Sequence, residues 1–167
     1  MRIGGGGSTD FNQLQSDSAQ FRNKDFLTNE GLNFGGFTFE NESSGNYSHV
    51  QLINPSGSAV TILLDGIIAT TGGATAVSVS THNTALSGDD GNLTNLKLGG
   101  TAGVGELRSQ TNSSTYGTRL FYANVLASAP LYIPFPYPIM LAAAKGIVVH
   151  PSGTNLFIGC NFMCREL

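Results

Sequence analysis

Charge is scarce in this chain. Asp, Glu, Lys and Arg make up 11% of its 167 residues, less than half the roughly 25% of an average soluble protein. There is no Trp, there are only 2 Cys and 6 Pro, and the net charge is −3. Each shortage excludes something. Disorder needs low hydrophobicity and high net charge, whereas 40% of these residues are hydrophobic. A slightly acidic balance argues against a dedicated nucleic-acid binder, whose affinity rests on clustered Lys and Arg. No run approaches the ~18 consecutive apolar residues of a membrane span, and residues 1–7 lack the apolar run of a signal peptide. Cys160 and Cys164 are too few for a disulfide framework. Four apart on one strand they would lie about 13 Å from each other, beyond disulfide reach. They are expected to be free, buried thiols of a protein made in a reducing cytoplasm. A metal site would need two more soft ligands, and His49, His82 and His150 show no ligand spacing.

The polarity that is present comes from Ser, Thr and Asn, with 22 Gly. The length fits one domain, and its two parts differ in character. Residues 1–45 hold Arg2, Asp10, Asp17, Arg22, Lys24, Asp25, Glu30, Glu40 and Glu42, and their hydrophobic spacing is irregular. A helix beginning at Asp10, with Phe11, Leu14 and Phe21 on one face, is interrupted by Ser16, Asp17 and Ser18. Phe11, Phe21, Phe26, Leu27, Phe34, Phe37 and Phe39 are spread through this polar segment. Such isolated aromatics act as anchors in a neighbour's pockets, or they wrap the chain's own domain. The segment is expected to be an N-terminal arm, extended or partly helical, led by the Gly4–Gly7 run and removable without unfolding the rest.

From Tyr47 onward the period is two. Val50-Gln51-Leu52 alternates, Asn54-Pro55-Ser56-Gly57 turns, and residues 59–69 form an apolar strand with a bulge or kink at Asp65-Gly66. Residues 76–81, 117–126, 131–135, 139–141 and 146–150 continue the pattern. In the last strand Leu156, Ile158, Cys160, Phe162 and Cys164 share a face. About eight short strands at this spacing predict an all-β antiparallel sandwich over residues 46–167, most simply a jelly roll.

Motifs of catalysis are thin. No Gly-x-Ser-x-Gly elbow surrounds a Ser, and His150 before Pro151 is expected at the surface or between subunits. Asp65, Asp89, Asp90 and Glu106 could form a carboxylate pair, but Asp89-Asp90-Gly91 has the composition of an ordinary turn. Asp89, Asp90 and Asn92 do not complete a calcium loop, which needs a Glu at its twelfth position. The chain is read as a non-enzyme without cofactor.

The segment from Asn46 onward resembles small β-sandwich proteins of tailed bacteriophages. The likeness is carried by Val50-Gln51-Leu52-Ile53-Asn54-Pro55-Ser56-Gly57-Ser58 and Val60-Thr61-Ile62, then by Glu106-Leu107-Arg108. Pro138-Ile139, Lys145-Gly146-Ile147-Val148-Val149, Asn155-Leu156-Phe157-Ile158 and Arg165-Glu166 complete it. The resemblance implies a capsid cement, or decoration, protein. Its implied setting is the virion, on the capsid exterior after synthesis in the host cytoplasm. The implied partners are the major capsid protein and itself, as a homotrimer. Related sandwiches in head and tail fibres imply an alternative, recognition of a host receptor or glycan through aromatics such as Tyr116, Phe121 and Tyr122. Pro134, Pro136 and Pro138 cannot donate ladder hydrogen bonds, so residues 131–141 are expected at an edge. Covered by a second copy, that edge would place Leu131, Tyr132, Phe135 and Tyr137 at the trimer contact. The arm, through Phe11, Leu14, Phe21, Phe26, Leu27, Phe34 and Phe37, would grip the capsid or the adjacent subunit.

Overall fold

A computed structural model of the chain describes residues 32–167. Among them are β1 (Asn33–Glu40), β2 (Tyr47–Asn54), β3 (Ile62–Thr71), β4 (Thr75–Thr81), β5 (Gly88–Asn92) and β6 (Thr94–Asn95). They are followed by β7 (Glu106–Asn112), β8 (Thr118–Val125), β9 (Leu131–Leu141), β10 (Lys145–Pro151) and β11 (Ile158–Glu166). Two antiparallel sheets pack face to face. The first has the order β6-β1-β11-β3-β9 and the second β5-β7-β2-β10-β4-β8. Without β5, β6 and β7 these reduce to β1-β11-β3-β9 and β2-β10-β4-β8, the interleaved order of an eight-stranded jelly roll. The eight strands expected from the sequence equal that frame in number but not in membership: residues 131–135 and 139–141 are one strand, β9, and the eighth frame strand is β1. The three others come from one insertion, residues 88–112, which widens both sheets on one side.

Alternation fills the space between the sheets. Val50 and Leu52 of β2, Val77 and Val79 of β4, and Ile147 and Val149 of β10 meet Ile158, Cys160, Phe162 and Cys164 of β11. The two cysteines are free and buried, as expected, and burial pushes both thiols well above their ordinary pKa. In β3 strict alternation would send Gly66 and Ile68 inward. Asp65 prevents this by standing as one extra residue opposite both neighbours, where Leu64 and Gly66 face Cys164 and Met163 of β11. Leu64 and Ile67 are thereby both buried, and the Asp65 carboxylate accepts two hydrogen bonds from Arg165, at 2.9 and 2.6 Å.

The sequence boundary at residue 45 is corrected by β1. Residues 33–40 pair along their whole length with β11 and at Phe34 and Gly35 with β6. Phe34 belongs to the core. Gly36 also faces inward, and a Cβ there would fall 2.8 Å from Leu107 and 2.9 Å from Leu93. A small residue is therefore required where the insertion's leucines fill the space.

Two polar side chains lock the connections. Asn54 Nδ2 donates to the carbonyls of Val60 and Leu141, both at 2.9 Å, and so ties the β2–β3 turn to the end of β9. The buried Glu166 carboxylate accepts from the N–H groups of Val104 (2.7 Å) and Gly105 (2.9 Å), holding the insertion against the C-terminal strand.

Candidate interaction surface

Each sheet has one short and one long edge. On the insertion side the edges are β6, of 2 residues, and β5, of 5. On the opposite side they are β8, of 8 residues, and β9, of 11. The two long edges lie together, joined by the ring contact of Phe121 with Phe135 at 4.9 Å. A long edge presents a row of unpaired backbone groups, and proteins cover, shorten or charge such rows. Here the charge is sparse. β8 carries Arg119, whose guanidinium lies 4.8 Å from the Tyr122 ring centre, and β9 carries no charged residue.

The prolines act on β9 as the sequence indicates. Pairing with β3 runs from Leu131 to Pro134 opposite Ala69 to Gly66 and resumes at Ile139 opposite Leu64. Residues 135–138 bulge out opposite the single Asp65, in the stretch where Pro136 and Pro138 have no N–H to offer. Phe135 turns inward from this bulge and joins the core, while Tyr137 points out with 88% of its surface exposed. Of the four residues expected at a trimer contact, Phe135 is therefore corrected to a core residue of its own subunit. Leu131 is half-buried against the same core. Tyr132 and Tyr137 are exposed at 56% and 88%, and Met140 of β9, Leu120 of β8 and Leu126 just after β8 are exposed as well.

Tyr132 continues onto the outer face of the first sheet. The register Phe37–Asn161–Ile68–Tyr132 crosses four strands in one row. Phe37 and Phe39 stack at 6.1 Å on that face, both more than half exposed. A shallow groove of about 470 Å³ runs between Phe37, Leu96 and Met163. Phe37, expected to belong to a free arm, is instead an outward residue of a sheet. Phe11, Leu14, Phe21, Phe26 and Leu27 lie outside the described residues.

The outer face of the second sheet is covered by its own chain. His49, Gln51, Val148, His150 and Ser78 point away from the core yet are buried. Residues 82–87 and the turn before β8 lie over them. Gln51 Nε2 donates to the carbonyls of His82 and Thr84 at 3.0 Å, and its Oε1 accepts from Leu86 N–H at 2.9 Å. All three histidines converge here. His82 stacks on Tyr116 at 4.5 Å between ring centres, Tyr116 lies 4.6 Å from His49, and His49 lies 5.3 Å from His150. Tyr47 meets both His49 and His150 edge-on at 6.4 Å. Neither His49 nitrogen, nor Ser78 Oγ, has a hydrogen-bond partner among the described residues. Each unmet buried polar atom costs about 1–3 kcal/mol.

Desolvation, and then the neighbouring His150, depress the His49 pKa from 6.5 to about 4, although the backbones of Gln110 and Tyr47 partly oppose this. Burial lowers His82 and His150 as well. The surface or inter-subunit position expected for His150 is thus corrected. Its Nδ1 lies 3.0 Å from its neighbour Pro151 O, under the cover. The convergence has one sequence signal, the placement of His49 and His150 near the ends of two strong strands, but it becomes visible only when β2 and β10 are paired.

Asp89 and Asp90 do not form an isolated turn. They sit in β5, bulged against β7, and the Thr38 hydroxyl donates to the Asp90 carboxylate. Asp65 is bound to Arg165 and Glu106 to Arg108, the latter at 2.6 Å. No three of the described His, Cys, Asp and Glu residues are grouped as metal ligands would be. No family model, no curated protein and no solved structure matches this chain.

Proposed function

We propose that this chain is a structural protein of a tailed-bacteriophage virion that decorates the capsid from outside, cementing the major capsid protein as a homotrimer. One observation carries the reading: the two long edges, β8 and β9, lie side by side, apolar and exposed. An edge of this kind is an aggregation hazard in a free monomer and an interface in an assembly. The identity of the assembly is supported by the resemblance in the strand starts and turns, including the Asn54-Pro55-Ser56-Gly57 turn that Asn54 holds. A neutral Ser/Thr/Asn surface suits crowding on a shell.

The energetics follow from linkage. A protein that binds the assembled lattice and not the dissociated subunits stabilises the lattice by mass action. Three linked copies multiply weak contacts into a firm hold. In this reading the apolar residues of 1–31, Phe11, Leu14, Phe21, Phe26 and Leu27, add contacts to the capsid or the adjacent subunit.

The exposed rings of Tyr132 and Tyr137 favour a second reading, a head- or tail-fibre module stacking host glycans. Co-sedimentation separates the two. The full chain, mixed with empty shells and with dissociated capsid subunits of the same virus, is expected to pellet with shells only and to raise their resistance to heat. Failure to bind shells, with retention on a glycan array, would replace the first reading by the second.

A further inference from the structure

The geometry points to the histidine–tyrosine ladder on the second sheet as an acid-triggered latch: protonating the His49–His150 pair releases residues 82–87 and the Tyr116 turn from the face they cover. The latch rests on the described residues alone and holds whether or not the chain decorates a capsid.

The pair is built by register. Val149 stands opposite Val50, so the next residues outward, His150 and His49, are cross-strand neighbours on the same face. Their rings lie 5.3 Å apart, and His49 is fully buried, its nitrogens reaching the backbones of Gln110 and Tyr47 without a well-formed hydrogen bond. As neutral rings they stack within the ladder. A proton on either creates a cation with no counter-charge. The titratable and charged groups facing the pair are His82, Arg119, Tyr47 and Tyr116, and none of them is a carboxylate. No ion pair among the described residues involves a histidine. The backbones of Gln110, Tyr47 and Pro151 offset only part of the cost of a buried charge there, and admitting water relieves the rest.

The cover is the part able to yield. Three of its hydrogen bonds go to one side chain, Gln51. Others run from His82 N–H to Gly146 O, from Ser87 N–H to Gln110, from Gly146 N–H to Asn83 and from Asn112 to the Tyr116 hydroxyl. The Tyr116 ring is inserted between His82 and His49. Tyr116 is followed by Gly117, which has φ +71° and sits so close to Thr81 that a Cβ would lie 1.6 Å from its carbonyl oxygen. In the latch this turn opens beside β4 while the core strands beneath remain paired. The open form takes up protons first, because the closed form holds His49 below its ordinary value. Closure is complete above about pH 6.5 and is lost as pH falls toward about 4. Across that window His49 alone shifts the closed-to-open ratio by roughly several-hundred-fold.

Hydrogen exchange on the full chain, corrected for intrinsic rates, at about pH 7.5 and about pH 4.5 tests the latch. The expected result is that amides of residues 82–87 and 113–117 lose at least tenfold in protection at the lower pH, while β3 and β11 keep theirs. His49→Gln, which cannot titrate, is expected to abolish most of that change. An NMR titration of the wild-type histidines covers the case in which the variant fails to fold: His49 should titrate well below 6.5, together with the shifts of Tyr116. The latch is overturned by unchanged protection, by core strands opening at the same pH as the cover, by acid opening that persists in a folded His49→Gln protein, or by ordinary titration of His49.

Discussion

At the scale of single residues, the side chains that matter most are those that reconcile a local rule with the fold around it. Asp65 is extra in its strand, and without it Leu64 and Ile67 could not both be buried. Glu166 is a buried carboxylate that the structure accepts because two backbone N–H groups of the insertion need its oxygen. Glu166→Ala would leave both donors unmet inside the protein, so it is expected to lower unfolding free energy by about 1–3 kcal/mol. Urea denaturation would register this as a shifted midpoint at unchanged slope, and an unchanged midpoint would show that water replaces the carboxylate. Cys160 and Cys164 are simpler: they are buried small hydrophobes whose thiols burial keeps protonated. The histidines behave oppositely, because burial keeps them neutral and makes acid their natural perturbant.

At the scale of elements, strands with a clean apolar period were legible in the sequence and the others were not. Val77 and Val79, or Ile158 to Cys164, alternate so plainly that they place themselves. The Asp65-Gly66 bulge was legible too, since a charged residue followed by a glycine inside an apolar run breaks the alternation that regular pairing needs. β1 was hidden because its inward residues are Phe34, Gly36 and Thr38, a set without periodic hydrophobicity. Gly36 is small for a reason located far away, in Leu93 and Leu107. β5 was hidden because Asp89-Asp90-Gly91 has turn composition, and only pairing with β7 makes it a strand. The three histidines gave no local pattern, since the topology of β2, β4 and β10 brings them together. The place of β1 also reverses the expectation that residues 1–45 can be removed. Deleting them strips β1 from between β6 and β11 and takes Phe34 from the core. The truncated chain is expected to be unfolded by circular dichroism, whereas deletion of residues 1–31 should keep the sandwich signal. A folded protein after the longer deletion would show that β1 is dispensable.

At the scale of the whole molecule, the two sides of the sandwich are unequal. The insertion ends one side in short strands of 2 and 5 residues, where little backbone is left unpaired. The other side ends in strands of 8 and 11 residues, with Tyr122, Tyr132, Tyr137 and Met140 exposed along them. The sequence indicated this side through its three prolines but misjudged Phe135, because an inward turn within a bulge cannot be read from alternation. Complete burial of one large aromatic is worth about 1.5–3 kcal/mol, so a few shared rings can outweigh the loss of freedom on association only if they are packed together. Whether this long-edged side joins copies of the chain is decided by sedimentation equilibrium of the full chain at micromolar concentration, beside a Tyr132→Ser/Tyr137→Ser double variant. A trimer is expected for the native chain and a folded monomer for the variant. A native chain that stays monomeric at tens of micromolar would contradict the assembly proposed for it.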